Sequence, residues 1–187
     1  MQFECFEILS ACFAILGPAF VVGSTMYVRK FCPGDEPALH AVFRSAIHLL
    51  AAKDYTTEQL EAWAPSQPVD MENWVARMRS IRQFVAEDES GIVGYADLQD
   101  AGYIDHFFVS GGKARRGVGR LLMKRIHERA TELGLDRMFS DVSITAQPFF
   151  SHFGFRVIER RMAVVRGINL ANALMQKDLP AALEANS

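Results

Sequence analysis

Apolar positions early in the chain recur at helical spacing. Leu39, Val42, Phe43, Ala46, Ile47 and Leu50 predict a helix that runs to about Ala52, with Asp35 as its N-cap and Pro37 in the first turn. Residues 26–31 before it read as a short strand. Residues 57–63 predict a second helix, stopped before Pro65, and residues 70–78 a third. From residue 81 the period changes. Residues 81–86, 92–98 and 103–109 are strand-like and are separated by turn-rich stretches at 88–91 and 99–102, so they predict antiparallel neighbours. A long helix follows to about Leu133, with Val118, Leu121, Leu122, Ile126, Ala130 and Leu133 as its apolar set and Gly134 as its stop. Residues 138–142 then read as a strand, 146–152 as a short helix ending at Gly154, and 155–165 and 174–179 as the last strands. The order predicts a mixed α/β domain without internal repeats, and residues after Leu179 read as a frayed tail.

Composition narrows the class. The chain has 187 residues, enough for one ordinary domain with its own core. Its formal net charge of -2 argues against a general nucleic-acid coat protein. The three cysteines (Cys5, Cys12 and Cys32) leave an odd count, which argues against a disulfide scaffold, and they show no zinc-ligand spacing.

Residues 1–25 stand apart. Sixteen of them are hydrophobic, and no Lys or Arg precedes Arg29. A secretory signal needs a basic front, whereas Glu4 and Glu7 stand here. The apolar run from Ile8 to Val22 is broken by Gly17 and Pro18 and falls short of the ~20 residues of a spanning helix. Three readings stay open: an upstream extension with Met26 as the working start, a membrane anchor or degenerate signal, and an extra packed helix. The first leaves residues 26–179 as the domain and 180–187 as a tail.

The chemically informative stretch is Arg115-Arg-Gly-Val-Gly-Arg120, between a predicted strand and the long helix. A helix N-terminus presents unpaired N–H groups and partial positive charge, and glycines allow close approach of an anion such as a pyrophosphate. From Gly111 to Ala130 there are seven Lys or Arg against one acid, Glu128, a local +6. An ordinary solvated face accounts for Lys124, Arg125 and Arg129. Arg115, Arg116 and Arg120, which flank the glycines, suit anion contact. The Walker pattern is absent, and the glycines follow an antiparallel meander rather than opening a dinucleotide-binding unit.

The run Ala114-Arg-Arg-Gly-Val-Gly119 resembles the Gln/Arg-x-x-Gly-x-Gly/Ala cofactor motif of the GNAT superfamily of acetyl-CoA-dependent N-acetyltransferases. Residues 141–155, with Phe149-Phe150 and Gly154-Phe155, are similar to that family's segment ending in Phe-Tyr-x-x-x-Gly-Phe. The Ser143-Ile-Thr-Ala-Gln-Pro-Phe-Phe150 form, Tyr103 to Val109 and Tyr55 to Pro65 resemble its small bacterial YafP-like subgroup. The resemblance runs from about Met26 to Leu179. It implies an acyltransferase with a twisted, mostly antiparallel sheet of about seven strands, helices on both faces and a splay between strands 4 and 5. It also implies acetyl-CoA as co-substrate, held by the main chain of Phe107, Phe108 and Val109 and by the loop Arg115, Arg116, Gly117, Val118, Gly119 and Arg120. Ser143 stands where many members have an Asn near the cofactor, and Phe149 and Phe150 stand beside the thioester. Two positions depart from the pattern. Ala114 replaces the usual Gln/Arg, and Phe150 replaces the Tyr that commonly protonates the departing thiolate. The general acid is left open between Ser143, Tyr103, another hydroxyl and water.

The implied reaction is direct attack of a neutral amine, from a small molecule or a peptide, on the thioester. Such chemistry needs a base tuned near neutrality. Asp105 and His106 adjoin the cofactor strand on opposite sides, and His106 is the natural titrating group, with a packed core imidazole as the alternative. His48, Tyr55 and Trp63 are candidates for the acceptor site, with packing or capping as the alternative. No metal is expected. The expected setting is cytoplasmic, without nucleic acid, with membrane contact only through residues 1–25 and with a homodimer as one assembly. Two other functions stay in view: a CoA-binding sensor without turnover, suggested by Ala114 and Phe150, and a nucleic-acid module built on the +6 stretch.

Overall fold

The computed structural model describes residues 26–66, 70–81 and 83–180; the readings made for residues 1–25 and for the tail from 181 lie outside these. The elements are β1 (Tyr27–Lys30), α1 (Glu36–Ser45), α2 (Thr57–Trp63), α3 (Met71–Ser80), β2 (Gln83–Asp88), β3 (Gly91–Asp97), β4 (Phe107–Val109), α4 (Val118–Glu132), β5 (Arg137–Ser143), α5 (Gln147–His152), β6 (Arg156–Val165) and β7 (Ile168–Asp178). They form an antiparallel four-stranded sheet in the order β1-β2-β3-β4 and a three-stranded sheet in the order β5-β7-β6. The two sheets touch through a parallel bridge between Tyr103 and Phe139, where Ile104 N–H donates to Phe139 O at 2.9 Å. Beyond that bridge β4 and β5 diverge, which opens the splay.

α4 lies on one face. Its buried residues Val118, Leu122, Met123, Ile126 and Ala130 recur at three- and four-residue spacing and pack into a core with Ala86, Val93, Ala96, Met138, Val142, Phe150 and Met175. The other face is covered by α1 and α3 through Leu39, Val42 and Met78 against Val85 and Tyr95, and by α2 through Leu60 and Ala64 against Leu170. These three apolar clusters leave a seam between the second and third, bridged by Phe43 and Phe108.

Four local readings are revised. The first helix stops being α-helical at Ser45: residues Ala46–Leu50 form a π-helical turn and Ala51–Lys53 a 3-10 turn. Asp35 occupies the N-cap position without a side-chain cap bond, because its carboxylate accepts from Arg29 (2.7 and 2.9 Å) and from Cys32 N–H (2.9 Å). Residues 103–106 leave the strand, since Asp97 Oδ1 takes the N–H groups of Asp105 (3.1 Å) and His106 (2.5 Å) that a ladder would have used. β7 begins six residues before the predicted Leu174. A two-residue turn at Arg166 and Gly167, both left-handed (φ 48° and 80°), returns the chain directly from β6.

α2 is only seven residues long, too short to persist alone. A reciprocal capping box holds its start: Thr56 N–H donates to Gln59 Oε1 at 2.9 Å, and Gln59 N–H donates to Thr56 Oγ1 at 3.3 Å. Arg166 at the β6–β7 turn donates to Ala62 O and fastens its end. α2 thereby becomes a fixed wall over the seam.

Candidate active site

β4 borders the splay with half of its main chain. Asp97 N–H donates to His106 O (3.0 Å) and Ser110 N–H to Val93 O (2.9 Å), and Tyr95 opposes Phe108. The antiparallel alternation then directs the N–H and C=O of Phe107 and Val109 away from β3, into the gap toward β5. That edge is free for an extended, amide-bearing ligand, which is the chemistry of a pantetheine arm. Phe108 does not share it; its main chain faces Tyr95.

At the start of α4, Gly117 is left-handed (φ 92°, ψ -8°) and Arg115 is left-handed as well (φ 60°). Space above Gly117 is open, and its backbone state is one that other residues adopt only under strain. Leu121 N–H is the first to find a helical carbonyl, that of Gly117, so the first-turn N–H groups of Val118, Gly119 and Arg120 face outward. Arg115, Arg116 and Arg120 are exposed beside them, and among the described residues none of the three forms an ion pair. Lys113, Lys124, Arg125 and Arg129 in the same basic stretch are each paired with a carboxylate. The loop therefore offers the dipole, the N–H groups and the unspent cations that a pyrophosphate requires.

Gly119 lies under Phe149: a Cβ there would come within 3.0 Å of the ring. Phe149 in turn packs on Phe107 and Phe150 with centroids 5.2 and 5.9 Å apart. Phe150 is 2% exposed and also contacts Phe107 and Phe155. The helix start, β4 and α5 are thus joined by one aromatic stack.

A cleft of about 380 Å³ opens beside this stack, in the seam between the apolar clusters. Phe43, Trp74 and Phe108 line one side, Tyr55, Trp63, Val165 and Leu170 another, and Tyr103, Asp105, His106, Asp141, Ser143, Phe150 and Asn172 complete it. His106 is 7% exposed and sits at the floor. Arg77 Nε, which can only donate, lies 3.5 Å from Nε2, so Nε2 accepts and Nδ1–H donates to the Tyr95 oxygen 3.2 Å away. Burial lowers His106 to about 4, with the Asp105 carboxylate pulling it up and Arg77 pushing it further down. Asp105 is more accessible; its Oδ2 accepts from Arg77 Nη2 at 2.6 Å and lies 3.6 Å from His106 Nε2. Tyr103 donates to Asp141 Oδ2 at 3.3 Å, and burial and then the Asp141 charge push it up to about 12.

Of the three acceptor-site residues expected from sequence, Tyr55 and Trp63 line the cleft and His48 does not. The π-helical turn shifts the helical phase, and His48 Nε2 donates to Ala64 O at 2.7 Å, tying the turn to the end of α2. Tyr55 serves as a strut: its hydroxyl donates to Ala171 O (2.6 Å) and accepts from Ile144 N–H (2.9 Å). Sequence reasoning missed Phe43, Arg77, Asp141 and Asn172 as lining residues. It also missed Asp97, which is fully buried and fixes the 105–106 backbone. Burial pushes Asp97 up to about 6, against the lowering effect of the His106 N–H bond.

An acetyltransferase (GNAT) domain profile matches residues 51–179. The chain belongs to the GNAT acetyltransferase family. It is 31% identical over 153 residues to YafP, an uncharacterised N-acetyltransferase of Escherichia coli K12, covering 82% of this chain and 96% of YafP. Among solved structures it is similar to a GCN5-related N-acetyltransferase from Rhodopseudomonas palustris, with 31% identity, a TM-score of 0.78, and 86% of this chain and all of the other covered. The PaiA N-acetyltransferase of Thermoplasma acidophilum, solved with coenzyme A, shares the fold at 18% identity and a TM-score of 0.64, over 83% of this chain and 99% of PaiA. The architecture implied by the family resemblance, seven strands with a splay after the fourth, is the observed one. Among the described residues no helix is long and apolar enough to cross a membrane, and no three His, Cys, Asp or Glu side chains cluster to hold a metal.

Proposed function

We propose that this GNAT enzyme transfers the acetyl group of acetyl-CoA to a primary amine by direct attack, in the cytoplasm where acetyl-CoA is abundant. The observation that carries the reading is the adjacency of two unlike features. The free main-chain edge at Phe107 and Val109 runs into a cleft whose floor holds an unprotonated imidazole.

The geometry supports these roles. The loop N–H groups at Val118 to Arg120, with Arg115, Arg116 and Arg120, hold the pyrophosphate. Phe107 and Val109 pair with the pantetheine amides and fix the thioester beside Phe149 and Phe150. The amine attacks in its neutral form, its ammonium proton lost to water beforehand. His106, lowered to about 4, is too weak a base for a free ammonium; at Nε2 it takes the proton of the amine nitrogen once that nitrogen is bonded to the carbonyl carbon and strongly acidic, and passes it to Asp105, 3.6 Å away, and to water. As the amine nitrogen forms its bond to the thioester carbonyl carbon, the C–S bond breaks, and the thiolate takes a proton from the Ser143 hydroxyl or from water. Tyr103 is the less available donor, because its proton is already given to Asp141 Oδ2 at 3.3 Å.

A second reading, CoA binding without turnover, draws on Phe150, which puts a phenyl ring where a hydroxyl would serve the leaving thiolate. Thiol release from acetyl-CoA across an amine panel separates the two. Amine-dependent release supports the transferase; CoA binding by calorimetry with no release from any amine establishes the sensor.

A further inference from the structure

We infer that the acceptor is a small primary amine carrying a flat apolar group and no anionic group, an arylalkylamine in chemical class. This rests on the proposed acetyl transfer to an amine and narrows its substrate. The cleft of about 380 Å³ lies near the lower end for ligand sites, and the thioester end must share it. Its two facing walls are aromatic and fixed. Phe43 stacks at 5.3 Å on Trp74 and at 5.0 Å on Phe108, and Tyr55 packs at 5.6 Å on Trp63, with Val165 and Leu170 beside it. Trp74 is anchored by its Nε1–H bond to Glu36 O (2.9 Å), and Tyr55 by its two hydroxyl bonds. A slot between such walls accepts a planar apolar body and gives a flexible polar chain nothing to pair with.

The polar lining is biased toward acceptors. Asp105 and Asp141 are carboxylates, and Asn172 Oδ1 is buried with no hydrogen-bond partner. Among the described residues Arg77 is the one Lys or Arg on the lining, and Asp105 already holds it at 2.6 Å. An ammonium finds acceptors here, and its aromatic neighbours favour a cation as well. A substrate carboxylate finds no uncommitted counter-ion, because Asp105 holds Arg77 and Asp141 holds Arg161, so an amino acid with the same ring is disfavoured. A polyamine lacks the flat apolar body that the walls would hold and leaves the slot unfilled.

The test is acetyl-CoA turnover by the full chain with phenethylamine, phenylalanine, spermidine and a lysine-containing peptide, together with CoA binding by calorimetry. The expected result is a kcat/KM for phenethylamine at least about tenfold above each of the other three. Trp74→Ala should raise the phenethylamine KM by a similar factor and leave the acetyl-CoA KM unchanged, which also certifies the fold. Comparable or better turnover of spermidine, the peptide or phenylalanine overturns the inference and leaves amine acetylation standing. Absence of turnover with all four, while CoA binds, overturns both.

Discussion

On the β4–α4 side of the cleft the contact groups are main-chain amides, a left-handed glycine and exposed arginines. On the α1–α3 side they are side chains delivered by α1, α2, α3, β6 and β7. In the proposed reading the first side takes a phosphate and an amide chain, which vary little, and a local turn suffices to build it. The second reads the variable partner, and it depends on long-range packing between elements that short caps and single hydrogen bonds hold in place. Stability is correspondingly uneven: the loop is tolerant of its neighbours, whereas the acceptor wall leans on a few struts.

The strongest break in this division is His106→Ala. It should lower kcat/KM for the amine by about 100-fold, as expected for loss of a positioned base, and leave CoA affinity unchanged. An unchanged rate across the pH range would remove His106 from the chemistry. Gly117→Val is the counterpart on the other side. Forcing a β-branched residue to φ 92° costs about 1–3 kcal/mol, so the acetyl-CoA KM should rise roughly 10- to 100-fold while the amine KM holds. If both constants moved together, the two sides would not be separable.

Tyr55→Phe tests the strut. It leaves Ile144 N–H and Ala171 O without their shared hydroxyl, and because the site is buried a loss of about 1–3 kcal/mol in unfolding free energy is the expected result. A thermal midpoint within a degree of the parent would show that α2 is held by other means.

The smallest effect concerns pH. His106 is lowered from 6.5 to about 4, so its contribution to stability is present above pH 6.5 and is lost as pH falls through 4. Asp97 is raised from 3.8 to about 6, so its contribution is present below 3.8 and is lost as pH rises through 6. The two oppose each other between about pH 4 and 6. His106→Gln leaves the Asp97 slope alone, and its stability relative to the parent should improve steadily on acidification from pH 7 to 5. A difference that does not depend on pH would refute the pairing.

What was legible in the sequence follows the same divide. The Gly117–Gly119 loop and α4 are contiguous, so period and composition located them within a residue or two. The acceptor wall was legible only in Tyr55 and Trp63, because Phe43, Asp141 and Asn172 meet across 129 positions of chain (172 minus 43). His48 was assigned to the cleft on an α-helical phase that the π-helical turn alters. Asp97 carried no local signal: its role exists only once residues 105 and 106 are folded back onto the end of β3. The β6–β7 turn was hidden by Arg166, a residue type rarely placed at a left-handed turn position.

The π-helical turn has a mechanical consequence. It brings Leu49 against Gly111, where a Cβ would sit 2.5 Å from Leu49 Cβ, and Ser45 Oγ accepts from Gly111 N–H at 3.0 Å. The helix that carries Phe43 is thereby buttoned to the segment that leads into the Gly117 loop. A single methyl group, Gly111→Ala, must push the two apart, and both substrates should feel it: affinity lost on one side is accompanied by affinity lost on the other. On the proposed reading, this contact joins the two sides of the cleft, and a coupled rise of both KM values in Gly111→Ala is the expected result.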